Sequence, residues 1–288
     1  MQKENQFRFI YEDNVLNKYD VFLIDLWGVI YDGYKLYPDV IKTLEYLHER
    51  EKKIIFFSNA PRRKTTIQST LESFFIKEHL YNEIVSSGEL VYYVLQKQRK
   101  FGEKYFHVGN PLGEEVLSHL NGYEKVMNPE EATFAILTST LDYYDEALSL
   151  AEKAKKYDLP LLCVNPDKLS ITYEGKEILC PGVIAGFYEK WGGKVVYFGK
   201  PYIEMYDYAL RLLDDKSKVL AIGDSIFNDI KGANNYGIDS LFITAGIHRN
   251  ELNVKMEEYP ERKITENLFN KHNIYPTYVA NLLRDMVK

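Results

Sequence analysis

Short apolar runs, each ending in a residue capable of chemistry, set the pattern of this chain. Val21-Phe22-Leu23-Ile24 is the first, and Asp25 follows at once. Ile54-Ile55-Phe56-Phe57 leads into Ser58-Asn59, and Val195-Val196-Tyr197-Phe198 into Gly199-Lys200-Pro201. Val219-Leu220-Ala221-Ile222 leads into Gly223-Asp224, with Asp229 five residues on. Runs this short and wholly apolar predict strands buried on both faces, as in the middle of a parallel sheet. Parallel strands would align all four ends along one edge of one sheet, where crevices of open α/β sheets form. Singly, each end has a milder explanation. The aspartates could cap the next turn or helix, Lys200 could be a surface residue ahead of a proline-started helix, and Ser58 could be a turn residue. Four such ends together predict a site.

The segments between these runs predict helices and further strands. Val40, Ile41, Leu44 and Leu47 share one face of a helix started by Pro38 and running through Arg50, and a second helix is expected near Thr65–Phe75. Gly28 allows a tight turn after Asp25, and Asp32-Gly33 reads as a hairpin tip. With Ile84-Val85 as another short strand, the β-α-β-α order predicts a parallel sheet. In the middle third, Tyr105–Val108, Phe134–Leu137 and Leu161–Val164 are strand candidates, alternating with helices around Gly113–Leu120 and Tyr143–Lys156. None ends in a carboxylate or lysine, although Val164 leads into Asn165-Pro166-Asp167. The expected organisation is a doubly wound, parallel-sheet α/β core of residues 1–85 and 191–288, with an inserted α/β domain at 86–190 whose return is marked by Gly182, Gly186, Gly192 and Gly193. The first sheet is expected to resume at Val195. A helix from Pro201 to Leu213, another from about Asp229, strands at Leu241–Ile243 and Tyr278-Val279, and a terminal helix would follow, with residues 1–18 a short segment packed on the core.

Composition narrows the function classes. A chain of 288 residues with 45% hydrophobic and 27% charged residues is ordinary for a soluble globular protein of about two domains. The net charge of -6, without any lysine–arginine run, argues against a general nucleic-acid surface. Met1–Phe9 lacks a signal-peptide core, and the longest apolar run, Leu90–Leu95, includes two tyrosines, so no membrane span is expected. Two cysteines, Cys163 and Cys180, fit a reducing cytoplasm, and with the scattered histidines they make no zinc pattern. The 24 tyrosines reflect biased composition as readily as substrate stacking.

Asp25 in V-F-L-I-D-L-W-G-V, Ser58-Asn59, Lys200 in G-K-P, and Asp224 with Asp229 in G-D-x-x-x-x-D resemble the four ordered motifs of the haloacid dehalogenase-like (HAD) superfamily. The insertion between the second and third motifs resembles its large-cap class IIA subgroup, which includes nitrophenyl-phosphate, sugar-phosphate, nucleotide and pyridoxal-phosphate phosphatases. Asn165-Pro166-Asp167 and Ile274-Tyr275-Pro276 extend the likeness to nearly the whole chain. The resemblance implies a Rossmann-like core, an inserted cap and a cytoplasmic, Mg²⁺-dependent phosphatase acting on a small phosphorylated metabolite, with a homo-oligomer compatible. In it Asp25 would be the nucleophile, forming an aspartyl phosphate, with Lys200 and Ser58 assisting. Asp25, Asp224 and the main-chain carbonyl of Trp27 would ligate the metal, and Asp229 would orient a ligand. Ser58, Lys200 and the backbone N–H groups of Asn59 and Ala60 would hold the phosphate, while Asn165 and Asp167 would face the site from the cap or simply form a turn.

One position departs from the resemblance. The residue two past the nucleophile, normally an aspartate that protonates the leaving group and then activates water, is Trp27. An indole cannot relay protons in this way, although its backbone carbonyl is unaffected. The expectations are slow turnover of alkyl phosphates, a smaller penalty for nitrophenyl esters, and a phosphoenzyme that accumulates or passes its phosphoryl group to an added alcohol. Trp27 itself would fill the core or form a flat wall against a substrate ring. Asp32 could replace the missing base, but an Asp-Gly hairpin tip favours a turn role. Members that break carbon–halogen bonds also lack aspartate there, but their cap arrangement differs. A different class of function, a catalytically weak phosphate-ligand binding or interaction protein on a retained HAD scaffold, fits the same motifs. His248 and Arg249 follow the Leu241–Thr244 run and fall either near the same edge or in a solvated loop.

Overall fold

The computed structural model describes residues 7–13, 15–140, 142–171, 176–211, 213 and 217–287. Of the expected N-terminal segment, residues 1–6 and 14 lie outside these, as does residue 212 of the helix expected from Pro201 to Leu213.

In chain order the strands are β1 (Arg8–Phe9), β2 (Val21–Ile24), β3 (Lys53–Ser58), β4 (Glu83–Ser86), β5 (Lys104–Val108), β6 (Glu124–Lys125) and β7 (Phe134–Leu137). They continue as β8 (Leu161–Cys163), β9 (Leu169–Ile171), β10 (Glu177–Leu179), β11 (Val195–Tyr197), β12 (Val219–Gly223), β13 (Asp239–Ile243) and β14 (Tyr278–Ala280). The helices are α1 (Val40–Glu49), α2 (Lys64–Ser73), α3 (Ser87–Gln98), α4 (Tyr144–Lys156), α5 (Pro181–Lys190), α6 (Ile203–Leu210), α7 (Lys231–Tyr236) and α8 (Arg262–His272).

A seven-stranded sheet has the order β1-β14-β13-β12-β2-β3-β4, and every pairing in it is parallel. From β2 the chain winds outward to β3 and β4. After the insertion it re-enters on the other side of β2 as β12 and winds outward to β13 and β14, with β1, from earlier in the chain, closing that edge. The reversal falls between β2 and β12, which makes the crevice at their carboxyl ends the switch point of a doubly wound fold. Alternate side chains of β2 enter opposite faces. Phe22 and Ile24 join the core that includes Leu44 and Ile67 of α1 and α2, whereas Val21 and Leu23 join the one that includes Val91, Met205 and Ala233 of α3, α6 and α7. All four are fully buried. Burial of such side chains is worth about 1.5–3 kcal/mol each, and it fixes the register that aims Asp25.

A second, five-stranded parallel sheet has the order β11-β8-β7-β5-β6, and β9 and β10 form a separate antiparallel pair. Its membership corrects one expectation. Val195–Tyr197 does not resume the first sheet but pairs in parallel with Leu161–Cys163. The chain therefore returns to the first sheet beyond Tyr197, and Lys200 reaches the site from a loop leaving the second sheet. At the other crossing, Leu90, Val91, Val94 and Leu95 of α3 share one buried cluster with Val21 and Leu23 and with Phe134 and Ile136 of β7, so this helix joins the two sheets. Gly182 and Gly186, expected at the return, lie within α5. The two cysteines are free and buried. No helix among the described residues is long and apolar enough to cross a membrane.

Candidate active site

Asp25 continues β2 by one residue, its N–H donating to Ile222 O of β12 at 2.9 Å. Asp224 follows β12, so the switch point sets two carboxylates side by side. The backbone makes room for the second. Gly28 has φ +84°, and a Cβ there would lie 1.9 Å from Asp224 Oδ2; one at Gly246 would lie 2.1 Å from the same atom. The Ile247 N–H donates to that oxygen at 2.8 Å. Carboxylate oxygens of Asp25, Asp224 and Asp229 all lie within 4.8 Å of one another.

Lys200, 2% exposed, points into this cluster. Its Nζ lies 2.8 Å from Asp25 Oδ1 and 2.7 Å from Asp229 Oδ1, and donates to Phe57 O at 2.8 Å. Asp229 is fully engaged, because its Oδ2 accepts the Ser225 N–H at 3.0 Å. It therefore anchors the lysine. Burial pushes the Asp25 carboxyl up to about 7, with Lys200 opposing and Asp229 and Asp167 adding to the rise. Burial, with Asp25 and Asp229 beside it, holds Asp224 well above the usual range. Burial alone would favour neutral Lys200, but Asp229 and Asp25 outweigh it and raise its pKa. Three buried acids against one ammonium form an electrically incomplete site, and a divalent cation fits that donor set.

Ser58 ends β3, and its Oγ accepts the Ala60 N–H at 3.2 Å. Asn59 is a hub: Oδ1 accepts the Lys200 N–H at 2.7 Å, while Nδ2 donates to Lys200 O at 3.0 Å and to Asp167 Oδ1 at 2.7 Å. Asn165 turns the chain, its Oδ1 accepting the Asp167 N–H at 2.9 Å. All ten residues expected at the site line one cavity of about 310 Å³ between the two sheets. The sequence did not single out Asn228, whose Nδ2 also donates to Asp167 Oδ1 at 2.7 Å. Nor did it single out Tyr31 or Arg62 on the same wall, or the β9–β10 pair, which contributes Leu169, Ile171, Ile178 and Leu179.

Trp27 is a wall of this cavity. Its ring lies over Gly33, where a Cβ would be 2.5 Å from Cη2, and its Nε1 donates to Ile171 O at 2.8 Å. Asp32 is buried in the turn, with Oδ1 accepting the N–H groups of Tyr34 and Lys35 at 2.8 Å each. His248 accepts the Ile226 N–H through Nε2 and faces Glu251 through Nδ1. Neither His248 nor Arg249 lines the cavity.

Residues 22–123 match the haloacid dehalogenase-like hydrolase family, and residues 197–285 match the family described as HAD-hydrolase-like. The chain belongs to the HAD superfamily. A 4-nitrophenylphosphatase of Schizosaccharomyces pombe is 26% identical over 263 residues, covering 82% of this chain and 87% of its own. A HAD-like hydrolase of Brucella suis superposes with a TM-score of 0.76 at 24% identity, covering 96% of this chain and 99% of that one. A p-nitrophenyl phosphatase of Archaeoglobus fulgidus has a TM-score of 0.74 at 25% identity, covering 94% and 98%. The architecture broadly matches that of the class IIA cap-domain phosphatases of the superfamily. This HAD chain has a hydrolase fold whose buried aspartate cluster can coordinate a divalent cation.

Proposed function

We propose that the protein is a Mg²⁺-dependent phosphatase that cleaves small phosphate esters through an aspartyl phosphate at Asp25. The observation that carries this reading is the Lys200 ammonium held 2.8 Å from Asp25 and 2.7 Å from Asp229, beside Asp224. A carboxylate fixed in this way presents its second oxygen as a nucleophile, already oriented and partly stripped of water. Bound by Asp25, Asp224 and the Trp27 carbonyl, Mg²⁺ would supply the positive charge that lets two anions approach. Asp229 holds the lysine in place, and Ser58 with the N–H groups of Asn59 and Ala60 binds phosphate oxygens. The cavity favours an ester whose organic part is apolar or planar, because Trp27 and Tyr31 from the core and four aliphatic residues of β9 and β10 line it.

The test is p-nitrophenyl phosphate hydrolysis with and without Mg²⁺, beside Asp25→Asn. Activity that needs the metal and vanishes in the variant supports the reading. Trp27 in place of an acid favours a second one, a phosphate-ligand binding protein. That reading gains if no ester turns over while inorganic phosphate with Mg²⁺ raises the melting temperature.

A further inference from the structure

Phosphate-ester cleavage through Asp25, the reading on which this inference rests, needs a proton for the departing alcohol and an acceptor for the proton of the attacking water. Trp27 supplies neither, and its N–H is already committed to Ile171 O. Asp32 is bound within its own turn. Burial pushes the Tyr31 hydroxyl and the Cys180 thiol up to about 12, which keeps both from exchanging protons near neutrality. Among the described residues that line the cavity, Asp167 is the one carboxylic acid outside the Asp25–Asp224–Asp229 cluster.

We infer that Asp167 is the acid–base residue of this reaction, delivered from the turn after β8 rather than from the strand that carries the nucleophile. Its carboxyl is held by one edge only. Oδ1 accepts from Asn59 Nδ2 and Asn228 Nδ2, both at 2.7 Å, and Oδ2 has no hydrogen-bond partner among the described residues. Two amides on one oxygen fix the plane of the carboxyl and leave the other oxygen for a proton.

The turn is anchored to the catalytic loop. A Cβ at Gly199 would lie 2.9 Å from Pro166 Cδ and 2.5 Å from Asn59 Oδ1, and one at Gly182 would lie 2.2 Å from Pro166 O. Asn59 also binds both main-chain polar groups of Lys200, so Asp167 and the lysine that orients Asp25 are fixed by one side chain. Burial raises the Asp167 carboxyl to about 6, against the pull of the Asn59 amide and Lys200 and with Asp229 adding to the rise. Both of its protonation states are therefore accessible near neutrality, as a group acting in both directions requires.

In the first step an Asp25 oxygen bonds to phosphorus and the ester P–O bond breaks. The proton of neutral Asp167 passes to the departing oxygen, giving the free alcohol, the aspartyl phosphate and ionised Asp167. In the second, water oxygen bonds to phosphorus and the P–O bond to Asp25 breaks with its electron pair returning to the carboxylate. One water proton passes to Asp167, and hydrogen phosphate leaves with the acid regenerated.

The experiment compares kcat/KM of the Mg²⁺-loaded wild type and Asp167→Asn on p-nitrophenyl phosphate and on a phenylalkyl phosphate of similar size. A nitrophenolate leaves with little protonation, so the alkyl ester is expected to lose about 10²–10⁴-fold and the nitrophenyl ester far less. The nitrophenyl ester is also expected to show a burst of one nitrophenolate per site, then slow turnover. A variant that merely disturbs the cavity loses both esters in equal proportion, and that result overturns the assignment while leaving the phosphatase reading intact. A wild type that cleaves neither ester overturns both. Should Asp167→Asn not fold, Asp167→Ser, whose hydroxyl can accept from the same amides, is judged by the same measurements.

Discussion

Trp27 Nε1 donates a 2.8 Å hydrogen bond to Ile171 O, joining the turn after the strand that carries Asp25 to a strand of the β9–β10 pair. The residue that takes the place of an acid thus acts as a latch between the core and the part that covers the cavity. A neutral hydrogen bond of this kind is worth about 0.5–1.5 kcal/mol. Trp27→Phe keeps the flat wall and removes the donor. Its expected effect is a KM raised about 2- to 12-fold with kcat little changed, together with faster amide exchange across Leu169–Ile171 and Glu177–Leu179. Steady-state kinetics and hydrogen exchange check it, and unchanged exchange in those strands would refute the latch.

Removing the buried ammonium should cost both stability and activity. Lys200→Met leaves Asp25 and Asp229 without their shared partner in a site from which water is largely excluded. Breaking a buried ion pair from one side costs about 3–5 kcal/mol. Urea unfolding of the metal-free protein should register that loss, and Mg²⁺-dependent turnover should disappear.

The Asp167 assignment carries a sign for pH. A general acid works only while protonated, and Lys200, Asp25 and Asp229 are the charged groups around this one. With its carboxyl at about 6, the advantage of wild type over Asp167→Asn on an alkyl phosphate is full below that pH. Above it, the advantage should shrink by about tenfold per pH unit. Taking the ratio of the two proteins cancels ionisations of substrate and metal site. A ratio that stays flat from pH 5 to 9, roughly the span over which such a group titrates, would rule the acid out.

Acid should weaken the second sheet through His107. Burial pushes this imidazole down to about 4, with Glu114 opposing and Lys125 adding to the fall, while its Nε2 shares a 2.8 Å hydrogen bond with Thr138 Oγ1. The unfolded chain takes up the proton near pH 6.5, whereas the folded one resists until about 4. The contribution is thus fully present above pH 6.5 and is lost progressively as pH falls through that window, by up to about 3 kcal/mol. His107→Gln should flatten this part of the acid limb in denaturant unfolding.

How much of this was legible in the sequence depended on what each residue was attached to. Asp25, Ser58 and Asp224 stand at the ends of strands buried on both faces, where the break from apolar to polar is abrupt and the sheet fixes the direction. Lys200 was found for a partly wrong reason: β11 is as apolar as β12, and nothing in its residues says which of two parallel sheets it joins. Asn228 and Ile171 escaped notice because their contributions, an amide turned across a gap and a main-chain carbonyl, leave no periodic mark. The β9–β10 pair has three residues a strand, too few to establish an alternation. Gly182 had a cause only the third dimension shows, namely the Pro166 carbonyl 2.2 Å from where its Cβ would be.

The adjacency of β2 and β12 has a consequence for how the molecule is made. During synthesis the strand ending at Ile24 leaves the ribosome early, while the neighbour that pairs with it begins only at Val219. Until then, one flank of the most apolar strand in the sheet has open N–H and C=O groups, a template for pairing with the wrong chain. Nascent chains stalled before residue 219 should therefore be the aggregation-prone species, and the ones that chaperones hold.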